Sequence, residues 1–442
     1  DGFIRMREAG ATARETLKLA ASDRLGINTT ALKTENGHVI APDGTAIPYQ
    51  DLAVAAASIK PPKVTLRDPS EWRYLGHSLP RIDMMEKATG TAEFGIDVRL
   101  PGLKFASLKT NPKLGGAMTS FDASRAVSMS GVEKIVDLGN GVAVVANNTW
   151  LAMQALEEIE FDWGDAPYPP ESADLFTAIS DSFDAEANST MRDDGDVATL
   201  PDGATELTAQ YKVPYLAHAT MEPQNATALF TGDRLQVWCG NQSPTFQRQV
   251  CAAEVGLEQE AVDIHTTYMG GGFGRRGEFD YSLYATKVAK AMQGTPVQVT
   301  WSREEDMRHD FYRPAALARF RGAIKDGKAV MIDGQVAAQS VIRQTMKRVA
   351  DLSVGGPDKV HVEGIFNQPY AVPNYRVRGY LTELDVPVGS WRSGGNSFNG
   401  FFHETFMDEM AHAAERDPLE FEIGQCYQEN ANKAGCLDAA PP

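Results

Sequence analysis

Nine residues, Gly270-Gly-Gly-Phe-Gly-Arg-Arg-Gly-Glu278, constrain this chain more than any others. They lie between a strand-like stretch, Ala261 to Met269, and a helix-like stretch, Phe279 to Gln293. Glycines at such a junction let the backbone approach a ligand where a Cβ would intervene, and N–H groups at a helix start attract anions. The run points to an α/β fold with a negatively charged ligand at a strand-to-helix turn.

Two readings of the run compete. Gly272-x-Gly274-x-x-Gly277 fits the dinucleotide-binding pattern, and a strand (Val297 to Trp301) with a charged end (Arg303, Glu304) follows at a plausible distance. That reading makes the chain an NADP-dependent oxidoreductase. Against it, such a fingerprint normally opens its domain, whereas this run lies deep in the chain and carries extra glycines and a bulky Phe273. A purely structural glycine turn is the plainer alternative.

The run's neighbours decide between them. Upstream stand His218-Ala-Thr-Met-Glu222-Pro223-Gln224-Asn225 and Asn241-Gln242-Ser243-Pro244-Thr245. Downstream stands Gly389-Ser-Trp391-Arg392-Ser393-Gly394-Gly395-Asn396-Ser397, then a helix-like Glu404-Thr-Phe-Met-Asp408-Glu409-Met. Together these motifs resemble the molybdenum-binding subunit of the xanthine dehydrogenase and aldehyde oxidase family. The nearest branch is that of the isoquinoline 1-oxidoreductase β subunit, in which Trp-Arg-Ser stands in place of Phe-Arg-Gly.

The resemblance implies a fold of class α/β (α+β), with a molybdopterin-binding domain and an α/β hammerhead domain. It implies a molybdenum hydroxylase that oxidises an aldehyde or N-heteroaromatic substrate with water-derived oxygen. The implied cofactor is molybdopterin cytosine dinucleotide, and the implied partner an iron–sulfur small subunit carrying [2Fe-2S] clusters. A cytochrome c acceptor and a periplasmic location are common in this branch, with the cytoplasm as the alternative. A cofactor-free paralogue with an assembly role is a further alternative.

Carried over motif by motif, Gln242 contacts the oxo ligand of molybdenum, while Gly271, Gly272, Phe273 and Gly274 meet the metal's ligands and the pterin. Arg392, Ser393 and Gly394 border the cofactor, and Glu278 stands near the place of a substrate-orienting glutamate. Molybdenum is held through the pterin dithiolene, so no protein metal ligand is implied. The family's general-base glutamate lies in a Gly-x-Gly-Glu type segment beyond the Arg392 motif. None of Glu404, Glu409, Glu415, Glu420, Glu422 and Glu429 has that context, so the base is expected outside this chain, in a companion chain or a missing C-terminal half.

Other residues carry less. His218 and Glu222 are four apart, but Pro223 makes the segment extended rather than helical, which argues against a zinc pair. Arg275 and Arg276 are expected in surface ion pairs. A net charge of −17 argues against nucleic acid or an anionic membrane as partner. No apolar run approaches the roughly 20 residues that span a bilayer. Four cysteines without a Cys-x-x-Cys pair write no iron–sulfur or zinc site here, although a Cys426 to Cys436 bridge fits an exported protein.

Along the chain, residues 1–60 are expected to be a displaced part of the cofactor domain, with 61–80 as linker. Residues 81–165 read as the hammerhead module, 166–195 as an exposed Pro-, Ser-, Asp- and Ala-rich connection, and 196–442 as the first half of the cofactor domain with mixed sheets. The start at Asp1, without methionine, reads as the interior of a longer protein.

Overall fold

The computed structural model describes residues 2–426, and the chain divides into two compact units between Thr91 and Ala92. In the first unit, helices Gly2–Leu25 and Tyr49–Ala57 accompany a three-stranded antiparallel sheet of Lys33–Glu35, His38–Ile40 and Ala46–Pro48. Gly26, at φ 68°, ends the long helix, and Asn36-Gly37, at φ 45° and 76°, closes the first hairpin. The core is small, drawn from Ala20, Ala21, Leu32, Val39, Ile47 and Leu52.

The second unit is built on two mixed sheets. The larger has seven strands in the order Val262–Thr266, Leu235–Cys239, Asn225–Phe230, Val297–Thr300, Lys104–Thr110, Gly141–Ala146 and Val132–Asp137. Helix Asp280–Ala291 covers it because Tyr281, Tyr284, Ala285, Val288 and Ala289 recur at helical spacing and are all buried. Full burial of each large side chain there contributes about 2 kcal/mol. The smaller sheet has five strands, Thr205–Val213, Ala316–Lys325, Lys328–Ala338, Asn374–Leu381 and Ser189–Asp194. Helix Asn396–Ala413 packs on it through Phe398, Phe402, Phe406 and Met410, and Gly322 makes room for the Phe406 ring, 2.8 Å from where a Cβ would stand.

The expected mixed α/β architecture is present, with three local differences. Residues 81–165 close only a two-stranded sheet of their own, Met118–Asp122 with Glu160–Trp163; Lys104–Thr110 pairs in parallel with Val297–Thr300, so Lys104–Thr110, Gly141–Ala146 and Val132–Asp137 extend the sheet that carries the glycine run. The stretch 166–195 is more than a connection. Helix Ser172–Asp181 buries Leu175 and Ile179, and Ser189–Asp194 forms a sheet edge; the apolar stripe Leu175, Ile179, Phe183 is four-spaced and hidden in composition by its polar neighbours. The stretch Ala92 to Asp97 is not a full strand: it makes a bridge at Phe94 followed by a 3-10 turn, and Ile96 N donates to the Glu222 carboxylate instead of a sheet partner. Among the described residues no helix is long and apolar enough to cross a membrane. The Cys426 to Cys436 pairing involves a residue outside the described range.

Candidate functional site

The glycine run does not lead straight into a helix. Strand Val262–Thr266 gives way to the loop Gly270–Gly274, a 3-10 turn at Arg275–Gly277, and only then helix Asp280–Ala291. The anion at that helix start is the protein's own Asp280, bound bidentately by Arg275 at 2.9 and 2.8 Å. Burial disfavours the Asp280 charge, but Arg275 outweighs it and holds the carboxyl below its ordinary range. An external ligand therefore meets the loop rather than the helix.

Both arginines of the run are buried, at 1% and 0% exposure, not on the surface as their composition suggests. Arg275 Nε also stands 3.1 Å from Asp310 Oδ1, near enough for an ion pair but not aligned for a hydrogen bond. Arg276 threads beneath the loop, donating to Gly271 O at 3.0 Å, Glu222 O at 3.0 Å and Glu222 Oε2 at 3.2 Å. Glu222 is used up locally: Oε2 accepts from Gly270 N at 2.7 Å, and Oε1 from Ile96 N and Asn225 Nδ2, each at 3.0 Å. His218 likewise serves the scaffold, with Nδ1 3.0 Å from Asp310 and Nε2 2.9 Å from Ser390 O, its ring against Trp391 at 4.5 Å. Neither is placed as a metal ligand, and no acidic, histidine or cysteine cluster among the described residues could hold a metal.

Three of the sequence motifs meet at this loop. Gln242 stands where strand Leu235–Cys239 turns into helix Pro244–Val255; its N donates to Arg276 O at 2.9 Å, and its Oε1 accepts from Gly274 N at 3.0 Å. Phe273 O accepts from Arg392 N at 2.7 Å, which ties the loop to the turn Arg392–Gly395 ahead of helix Asn396–Ala413. Close approach explains the glycines. A Cβ on Gly274 would overlap the Ser390 carbonyl, and one on Gly272 would lie 2.6 Å from Gln242 Oε1. The backbone is unusual on both sides of the junction: Phe273 has φ 55°, Gly274 111°, Ser393 75° and Gly394 57°.

Glu278 stands apart from this group. Its buried carboxylate is gripped by Arg348, Nε at 3.0 Å and Nη2 at 2.5 Å, so it reaches a substrate only if Arg348 moves away. Arg348, Asp280 and Asp310 carried no sequence signal as site-builders, except that an acidic residue in a helix's first turn is a general cue.

The surface left by these contacts suits an anionic, oxygen-rich ligand. Among the described residues, the amides of Gly271, Gly272, Phe273 and Ser393 donate to no protein acceptor, and the Arg392 guanidinium has no hydrogen bond or ion pair. Gln242, Phe273, Arg392 and Ser393 are exposed, while Gly271 is half-buried and Gly272 buried. Consecutive unpaired N–H groups in a glycine-rich loop can form a nest for phosphate or metal-bound oxygen. The residues present thus fit a pterin cofactor with phosphate groups.

Comparison with known proteins bears on the same segment. The family model described as the molybdopterin cofactor-binding domain matches residues 182–423, more than half of the chain. The chain belongs to the molybdopterin cofactor-binding family. Similar relatives include a nicotinate dehydrogenase subunit of Pseudomonas putida, 28% identical over 95% of this chain, and the beta subunit of isoquinoline 1-oxidoreductase of Brevundimonas diminuta, 26% identical over 95%. The chain spans 36% and 60% of the lengths of these two relatives. Among solved structures, aldehyde oxidoreductase from Desulfovibrio gigas matches with TM-score 0.64 and 19% identity, covering 87% of this chain and 45% of that one. Quinoline 2-oxidoreductase from Pseudomonas putida 86 matches with TM-score 0.63 and 17% identity, covering 78% and 49%. Membership in this family favours the cofactor reading over the dinucleotide reading of Gly272-x-Gly274-x-x-Gly277, and the geometry agrees. Strands Leu235–Cys239 and Asn225–Phe230 separate Val297–Thr300 from Val262–Thr266, and a 3-10 turn, not a helix start, follows the glycines.

Proposed function

We propose that this chain forms part of the large subunit of a molybdenum hydroxylase acting on an aldehyde or N-heteroaromatic compound, with electrons passing to iron–sulfur clusters on a partner subunit. The observation that carries the reading is the set of unpaired amides at Gly271, Gly272, Phe273 and Ser393, brought together by the Arg392 N to Phe273 O bond. Two relatives are named for N-heteroaromatic compounds, nicotinate and isoquinoline, which favours that half of the substrate class. A cofactor-free assembly role would leave these donors without purpose.

When bound, the cofactor supplies the metal that takes up the substrate's two electrons, in a reaction whose oxygen comes from water. The protein's share is orientation and electrostatics. The four amides and Arg392 would hold the anionic parts of a molybdopterin cytosine dinucleotide. Gln242 fixes the loop through Oε1, which leaves its amide NH₂ as a donor toward the ligand. The exposed Phe273 ring would shield the substrate side from water.

The general base belongs outside this sequence on this reading. Glu404 is taken by Tyr370 Oη at 2.7 Å and His403, and Glu409 by Tyr211 Oη at 2.8 Å, both on the helix that packs on the five-stranded sheet. Glu429 lies outside the described residues. Export to the periplasm, with a cytochrome c acceptor, completes the proposal.

Molybdenum and pterin analysis of the native protein tests the reading, together with Gln242→Ala. The variant is expected to keep most of its metal and to lose roughly tenfold to a hundredfold in turnover, as for one hydrogen bond worth about 1–3 kcal/mol. Native protein that holds no molybdenum or pterin but retains NADP would overturn the assignment.

A further inference from the structure

The turn at Trp391 also walls a second space. Gly389, Ser390, Trp391, Gly394 and Gly395 line a cavity of ≈ 200 Å³. Val341, Ile342, Val360 and Phe398 make the rest of it largely apolar, and Ile342, 38% exposed, stands at the solvent side. Arg313 faces the same cavity and is only 7% exposed.

Arg313 is a buried cation without a counter-charge among the described residues. Its Nη2 donates to Pro214 O at 2.8 Å, its guanidinium carbon lies 5.9 Å from the Trp391 ring centre, and its Nε has no partner. Burial lowers its pKa, and no acidic neighbour offsets that effect. Arg275 and Arg276, still more deeply buried, each have a carboxylate within 3.2 Å. The carboxylate in the cavity lining, Asp358, is turned elsewhere: Oδ2 accepts from Ser340 Oγ at 2.5 Å and Oδ1 from Val360 N at 2.9 Å. His361 Nδ1 donates to Asp358 O at 2.7 Å, and burial lowers the ring's pKa.

Placing a guanidinium in low dielectric without an anion is costly, and an anionic ligand in the cavity would complete the pair. The volume sets the size of that ligand. A dry cavity of about 150 Å³ accepts benzene, so this one accepts a single ring with a small substituent. Apolar walls, an indole and one cation select an aromatic ring bearing a carboxylate, because a guanidinium fork matches a carboxylate and an indole face matches a ring.

We propose that this cavity binds a single-ring aromatic or heteroaromatic carboxylate, with Arg313 taking the carboxylate and Trp391 and Phe398 the ring. That this ligand is the substrate rests on the cofactor reading of the adjoining loop; the binding site itself does not. A free phosphate shares the oxyanion chemistry but leaves the apolar walls unused.

Calorimetric titration of the 442-residue chain with benzoate, benzamide and inorganic phosphate separates these cases. Benzoate is expected to bind at least tenfold more tightly than either of the others. Arg313→Met should weaken benzoate at least tenfold. Ile342→Trp, which fills the cavity and keeps the charge, should do the same in a protein whose thermal melt shows it to be folded. The site is refuted if benzoate does not bind, if benzamide or phosphate binds as well, or if folded Ile342→Trp binds benzoate as the parent does. Metal analysis of the same samples keeps the two readings apart. Benzoate binding in protein that never holds molybdenum would remove the cofactor assignment alone, whereas molybdenum without benzoate binding would remove this site alone.

Discussion

Gly274→Ala separates the loop's backbone requirement from its ligand chemistry. Gly274 has φ 111°, where an L side chain is strained, and its Cβ would overlap the Ser390 carbonyl oxygen and lie 3.1 Å from Trp391 Cα. The strain costs about 1–2 kcal/mol. Relief of the overlap requires segment 389–392 to retreat, which forfeits the Arg392 N to Phe273 O bond, worth about 1 kcal/mol. The sum, about 2–3 kcal/mol, falls on the junction rather than on the whole unit. Gly272→Ala is the control: its Cβ meets Gln242 Oε1 at 2.6 Å and Met269 Sδ at 3.0 Å, both on flexible side chains that can turn aside for about 1 kcal/mol. Native-state hydrogen exchange reads the difference at the Arg392 amide. Protection should fall roughly 30- to 140-fold in Gly274→Ala and about fivefold in Gly272→Ala, with molybdenum content falling in the same order. Parent-like protection of Arg392 in Gly274→Ala, or a larger loss in Gly272→Ala, would refute the reasoning.

Two further outcomes follow from buried charges. Arg348→Met strands the Glu278 carboxylate and should cost about 2 kcal/mol, discounted because Arg348 is partly exposed; adding Glu278→Gln should recover part of the lost melting temperature, and no recovery would mean the pair is not what holds that corner. Burial pushes Glu305 up to about 7 from 4.5, so the folded state holds this proton more tightly than the unfolded state. Its contribution to stability is present below pH 4.5 and lost as pH rises through about 7. His309, pushed down to about 4 by burial, works in the opposite sense between its ordinary 6.5 and that value, so thermal melts between pH 6.5 and 8 report Glu305. The fall in melting temperature across that window should flatten in Glu305→Gln, and an unchanged slope would count against it.

The site was legible in sequence where short-range rules apply. Glycines at 271, 272 and 274 announce a close approach, and Gln242 and Arg392 sit in compact motifs whose order carries a family likeness. What the sequence did not disclose was the partner in each contact. Nothing local tells that Gly274 faces Ser390, or that the two arginines after it point inward to Asp280 and Glu222. Arg313 looked ordinary because a buried cation differs from a surface one only in what surrounds it. The helix Ser172–Asp181 was masked for a compositional reason: three large apolar residues suffice to anchor it, and Ser, Thr, Asp and Ala supply the rest.

Strand Lys104–Thr110 lies between Val297–Thr300 and Gly141–Ala146, and this placement governs the order of assembly. Ser107 Oγ bonds to Thr300 O across 193 positions, and Thr110 N to Glu305 Oε1 across 195. Glu222, the anchor of Gly270, also waits for Ile96 N from 126 positions away. Closing loops of this length is entropically slow and gains little until the sheet completes. The loop that faces the ligand therefore reaches its final shape after most of the chain has been made and has found its partners. A cofactor offered before these segments have paired is therefore expected to meet no preformed cradle.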